Sequence, residues 1–133
     1  FDNERVRQAF AMAIDRDRLV DNFYPPGSSV ATQFMPPSIF GYSDGQTWYE
    51  FNPEEAQKIL EEEGLLPGFK TTLSYRDVVR GYLPNPGVVA QDIQAQLADI
   101  GVEVTINVME SGAFLDAADQ GQLEGLHMLG WGA

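Results

Sequence analysis

The chain has 133 residues, enough for about one domain with a single core. A hydrophobic fraction of 44%, with eight Phe, five Tyr and two Trp, excludes the disordered class, and a net charge of -12 excludes the basic stripe that nucleic-acid binding requires. No apolar run approaches the roughly 18 residues of a membrane span, and the lack of cysteine removes disulfides, thiolate nucleophiles and zinc knuckles.

Asn3 is placed to cap a helix whose Val6, Ala9, Phe10, Ala13 and Ile14 recur at helical spacing. This stripe is expected to pack on a sheet, with Phe10 nearly inaccessible. Asp15 interrupts it and can cap a second short helix carrying Leu19, Val20 and Phe23, which Pro25-Pro26-Gly27 ends. Between Ser28 and Glu50 the chain reads as a loop, yet it holds Phe34, Met35, Phe40, Tyr42, Trp48 and Tyr49. A loop that rich in aromatics is expected to be ordered and packed.

"NPEEAQKILEEEG" carries clear helix punctuation. Asn52 is the cap, Pro53 takes the first helical position, Glu55 completes a capping box, and Gly64 suits the left-handed position past the end. "FKTTLSY" alternates Phe69, Thr71, Leu73 and Tyr75 as a half-buried strand. A loop with Pro84 and Pro86 leads to a helix from about Val88 to Ile100, stopped by Gly101. "VEVTINV" reads as the next strand, Ser111 as the cap of a short helix ending at Gly121, and Leu123–Leu129 as a last strand. Helices between strands point to parallel crossovers in an α/β layer structure with the three strands in one sheet.

Catalytic signals are missing from this pattern. His127, the one histidine, falls within the last strand, and no G-x-S-x-G, Walker or G-x-G-x-x-G motif occurs. Glu61–Glu63 read as a solvated helix end. No catalytic residue, metal site or cofactor is expected. The acidic excess is read as an aid to solubility, with selection of cationic ligands as the sharper alternative.

Four blocks in order resemble the extracytoplasmic solute-binding proteins of ABC transporters, in the peptide, dipeptide and nickel-binding family. "VRQAFAMAIDRDRLV" is similar to the family's V-R-x-A-x-x-x-A-I-D-R-x-x-L-V signature, with Val6, Arg7, Ala9, Ala13, Ile14, Asp15, Arg16, Leu19 and Val20 in place. "YEFNPEEAQKILEEEGLLPGF" resembles the second block, with Asn52 where Asp is usual and Glu63 where Ala is usual. "VAQDIQAQLADIGVEVTI" and Gly130-Trp131 resemble the remaining two.

The resemblance implies an α/β, three-layer lobe of a two-lobe periplasmic-binding-protein type II fold, with a small, mostly parallel sheet flanked by helices. Residues 1–133 would form a single domain, most of the C-terminal lobe of a larger protein that closes on its ligand like a clamp. The family's aspartate after G-W-x-x, which pairs with the amino terminus of a peptide ligand, would fall just past Ala133. An oligopeptide or dipeptide ligand, ABC permease subunits as partners, an extracytoplasmic location and a lipid anchor on the parent protein follow from the same resemblance. Ligands of open α/β sheets lie beyond the carboxyl ends of the strands. That places Tyr75 and Arg76 with the loop to Gly87, Glu110 with Ser111, and Gly130-Trp131 at the site. Trp131, Gly130, Tyr75 and Arg76 are the candidate ligand-binding residues, whereas Arg7, Asp15 and Arg16 are read as structural, through capping and charge pairing between helices. The alternative readings are a domain of an intracellular α/β enzyme, which the missing catalytic set disfavours, and a self-standing interaction module.

Overall fold

The structure is a computed structural model that describes residues 1–32, 37–43 and 49–130. Two helices open the chain, α1 (Glu4–Ala13) and α2 (Arg16–Phe23). The Asn3 side chain accepts from the Arg5 N–H at 2.8 Å, and that of Asp15 from the Arg18 N–H at 3.1 Å, so both caps stand where the sequence places them. In α3 (Pro53–Glu62), Asn52 caps by accepting from the Glu55 N–H at 3.2 Å. The predicted capping box is only half formed there. The Asn52 N–H that Glu55 would satisfy donates to the Met12 carbonyl at 2.8 Å, fastening the start of α3 to α1.

After these come β1 (Lys70–Arg76), α4 (Pro86–Asp99), β2 (Glu103–Met109), α5 (Ser111–Asp119) and β3 (Leu126–His127). The strands form one parallel sheet in the order β2-β1-β3, as the alternation of patterns predicts. The step from β1 to β2 and the step from β2 to β3 run in opposite directions across the sheet. Crossovers of one hand therefore put α4 and α5 on opposite faces, which makes three layers.

Register assigns the side chains. Leu73 aligns with Ile106 and Leu126 on one face, and Ser74 with Asn107 and His127 on the other. The Leu73 face carries α4: the Tyr75 hydroxyl lies 3.3 Å from where a Cβ on Gly87 would stand. On the Ser74 face, the fully buried Phe114 of α5 meets His127 edge-on at 6.3 Å. Val6, Phe10, Leu60, Leu73, Leu97 and Val102 belong to one core cluster on the α4 side.

Several boundaries and contacts depart from expectation. The α1 stripe packs mainly on α3, with a lesser contact to α4, rather than on the sheet, whose near face α4 already covers. Phe10 is nonetheless 4% exposed, and it reaches the start of β1 through Phe69, ring centroids 5.7 Å apart. The last strand is two residues long instead of seven. Gly125 takes φ 73°, and a Cβ there would stand 2.5 Å from the Thr72 carbonyl oxygen, so the chain meets β1 through a turn. α4 begins at Pro86 rather than near Val88, since proline suits a first helical turn. The cap of α5 is Glu110, whose carboxylate accepts from the N–H groups of Gly112 and Ala113 at 2.9 Å each, while Ser111 is already helical. In the aromatic loop, Phe40 is fully exposed, against the expected packing, and Phe34, Met35 and Trp48 lie outside the described residues.

Asp15 caps as expected, but Arg7 and Arg16 bind backbone instead of pairing charges. Arg7 donates to the Phe1 and Asp2 carbonyls, and Arg16 to that of Tyr49. The pairs between helices come from Arg5 with Glu62 and Glu63 (2.7 and 2.9 Å) and from Arg18 with Asp92 (3.0 Å). Glu62 and Glu63 are thus more than a solvated helix end. Burial alone would raise the Asp92 carboxyl, yet the bonds from Arg18 and Gln96 outweigh it and hold Asp92 below the usual aspartate range. A carboxyl lowered in the folded state stabilises above its unfolded pKa of about 3.9 and loses that contribution as pH falls through the folded value. Asp92→Asn is expected to lower the thermal midpoint at pH 7, with the gap to the unmodified chain closing as pH falls below about 4. Thermal melts at a series of pH values check this.

Candidate functional site

Because all three strands are parallel, their carboxyl ends deliver the 77–85 loop, Glu110-Ser111 and residues 128–130 to one edge of the sheet. Arg76, the last residue of β1, is the hub of that edge. Its Nη1 donates to Ser111 Oγ at 2.8 Å and its Nη2 to the Tyr82 hydroxyl at 3.2 Å. Its Nε is buried and has no acceptor among the described residues.

Tyr82 is brought there by a tight turn. Arg80 and Leu83 exchange backbone hydrogen bonds, Arg80 N–H to Leu83 at 3.3 Å and Leu83 N–H to Arg80 at 2.9 Å, and the buried Leu83 anchors the turn to the core. The Tyr82 ring lies directly over Gly130. A Cβ on that glycine would stand 2.5 to 2.9 Å from three ring carbons, so glycine is needed here for space. The Gly130 backbone also hydrogen-bonds the Tyr82 phenol. Together with the bond from Arg76, the larger influence, it holds the phenol below its ordinary pKa despite some burial.

Of the four candidate ligand residues, the structure brings Arg76 and Gly130 to the edge on either side of Tyr82. Tyr75 is 6% exposed and stands beneath the edge, its hydroxyl against Gly87 at the start of α4. Trp131 lies outside the described residues. Sequence reasoning named the loop but missed Tyr82; an aromatic between Gly81 and Pro84 was the available signal.

Charge at this edge runs against the molecule as a whole. The chain has twenty acidic and eight basic residues, yet neither Arg76 nor Arg80 forms an ion pair among the described residues. The Arg80 guanidinium donates to the Val79 carbonyl, and the Glu110 carboxylate is committed to its helix cap. Guanidinium charge without an acidic partner suits an anionic group of a ligand, a carboxylate in particular.

A cavity of about 480 Å³ opens elsewhere, lined by Asp15, Arg16, Thr32, Tyr49 and Phe51 among others. Gln96, late in α4, accepts from the Asp15 N–H at 2.5 Å, and α4 runs back from the carboxyl edge, so this cavity lies toward the opposite end of the sheet. Two of its polar residues are already engaged: Asp15 caps α2, and Arg16 holds the Tyr49 carbonyl. Among the described residues no group of three His, Asp or Glu is placed to hold a metal ion, and no helix is long and apolar enough to cross a membrane.

Comparison with known proteins bears on this geometry. The family model for "Bacterial extracellular solute-binding proteins, family 5 Middle" matches residues 1–133. The chain is 35% identical over 130 residues to the dipeptide-binding protein of Escherichia coli K12, covering 98% of this chain and 24% of the relative. It is 34% identical over 131 residues to heme-binding protein A of Haemophilus influenzae, with 98% of this chain and 24% of that one covered. Among solved structures, the dipeptide-binding protein of Pseudoalteromonas sp. SM9913 in complex with Met-Leu superposes with a TM-score of 0.92 at 32% identity, covering 100% of this chain and 26% of that one. The chain thus spans about a quarter of the length of these relatives.

Proposed function

The chain belongs to family 5 of the bacterial extracellular solute-binding proteins, and from that premise we propose that it forms one wall of the ligand cleft in the peptide-binding component of an ABC importer. The observation that carries this reading is the carboxyl edge of the sheet. There Arg76, Tyr82, Ser111 and Gly130 converge, with positive charge left unpaired in an acidic chain.

In this reading the facing wall comes from a second lobe of the longer protein, and the two close around the peptide. Gly130 leaves room for the Tyr82 ring to pack on the backbone beside the cleft, and Trp131 offers a flat apolar surface with one N–H donor. The exposed Arg80 meets a ligand carboxylate at the edge, while Arg76 stays committed to Ser111 and Tyr82. Tyr75 serves from below, supporting the start of α4. The loaded protein hands its peptide to membrane permease subunits outside the cytoplasm, held near them by a lipid anchor, and carries out no catalysis itself. Relatives named for a dipeptide and for heme share almost the same identity with this chain. Ligand choice therefore rests on loop side chains and on the opposing lobe rather than on the sheet.

Calorimetry of the full-length protein with a mixed library of di- to pentapeptides tests the reading. Micromolar binding is expected, and Trp131→Ala should weaken it tenfold or more. Binding unchanged in that variant would remove Trp131 from the cleft, and no peptide binding by the unmodified protein would overturn the assignment.

A further inference from the structure

The strand that leads to Gly130 is weakly held by the sheet itself. β3 has two residues, and after the Met128 N–H donates to the Ser74 carbonyl at 3.1 Å, no further ladder bond to β1 is made among the described residues. What meets the chain next is Tyr82, whose ring covers Gly130 and whose hydroxyl bonds its backbone. The Arg80–Leu83 turn brings Tyr82 to the edge, and the bond from Arg76 holds the hydroxyl of this exposed side chain in place there.

Arg76 is built for that task. A guanidinium offers donors in a rigid planar fork, and here one prong goes to Ser111 at the start of α5 while the other goes to Tyr82. The third side, Nε, is buried. One side chain at the end of β1 thereby joins the loop after β1, the helix after β2 and the segment after β3.

We propose that Arg76 is a positioning residue: acting through Tyr82, it fixes the backbone at Gly130, and with it the ligand-facing residues 128–130 that follow β3. The ligand-facing part of this statement rests on the function proposed above. A segment fixed before the ligand arrives does not draw its ordering entropy from the binding energy, so loosening it weakens binding without removing a contact. Arg76 in this role does not touch the ligand.

The test uses the full-length protein with two readouts, calorimetric affinity for the peptide it binds and amide hydrogen exchange at Gly130. Arg76→Met and Tyr82→Phe should each weaken affinity about tenfold, since both break the same chain of contacts. The double variant should lose no more than either single one. Both should speed exchange at Gly130, and in Arg76→Met the Tyr82 phenol should titrate at a higher pH than in the unmodified protein. Arg76→Lys keeps the charge but cannot bridge Ser111 and Tyr82 together, so it should behave like Arg76→Met. Affinity retained by Arg76→Lys, with Tyr82→Phe silent, would mean a direct charge contact and overturn the proposal. Unchanged Gly130 exchange in Tyr82→Phe, which removes one hydroxyl and leaves the ring, would overturn it equally, and this variant carries the test if Arg76→Met fails to fold. Should the unmodified protein bind no peptide, the functional reading falls, while the exchange readout still decides whether Arg76 holds Gly130.

Discussion

Phe10→Ala is expected to lower the unfolding free energy by about 3–5 kcal/mol. The ring is 4% exposed and lies where three rings meet edge to face: Phe1 at 4.8 Å, Phe69 at 5.7 Å, and Phe1 to Phe69 at 6.1 Å. Truncation removes the buried ring and leaves a cavity between α1, α3 and the start of β1. Neither helix can collapse into that space easily, because Asn52 is bonded to Met12 and Arg5 to Glu62 and Glu63. A domain of this size holds about 5–15 kcal/mol in total, so the loss is a large fraction of it. Phe40→Ala is the internal control. That side chain is 100% exposed, and its removal should change stability by less than about 0.5 kcal/mol. Urea unfolding of the three proteins measures both values, and a loss below roughly 1 kcal/mol at Phe10 would mean that α1 is peripheral.

The second large effect concerns binding by the 133-residue chain alone, which should fold yet hold peptides about a thousandfold more weakly than the full-length protein. Pockets typically bury about 70–90% of a small ligand, and one wall supplies roughly half of that contact. A micromolar interaction is worth about 8 kcal/mol, and half of it corresponds to millimolar binding. The carboxyl edge of the sheet fits this expectation, since it presents an open surface of loops and the 480 Å³ cavity lies elsewhere. Circular dichroism establishes that the chain is folded, and calorimetry with the same peptides then compares the two proteins. Micromolar binding by the chain alone would place the whole site within it and remove the clamp from the reading.

Local chemistry made much of the fold legible. Asn3, Asp15 and Asn52 cap because their short side chains accept from N–H groups two or three residues ahead, a contact fixed by chain geometry. The 3.6 periodicity put Val6, Ala9, Phe10 and Ala13 on one stripe and the alternation put Leu73 and Tyr75 on one strand face, and all six are buried. Misplaced features share a different character. The helix α1 was expected on the sheet because its stripe is apolar, but a stripe specifies that a face is covered and leaves open what covers it. Likewise Leu123–Leu129 reads as a full strand, but the turn at Gly125 delays its start and its ladder with β1 ends at His127.

The same division runs through the candidate site. The residues themselves determined the element types, their alternation and, through parallel crossovers, the edge where a ligand would lie; these depend on neighbours within a few positions and on a general rule of handedness. The partnership of Arg76 with Tyr82 and Ser111, and of Tyr82 with Gly130, was decided by the tertiary structure. Those contacts join residues up to 48 positions apart, from Tyr82 to Gly130. No periodicity encodes such a pairing, because it exists only after the sheet order β2-β1-β3 has set three strand ends side by side.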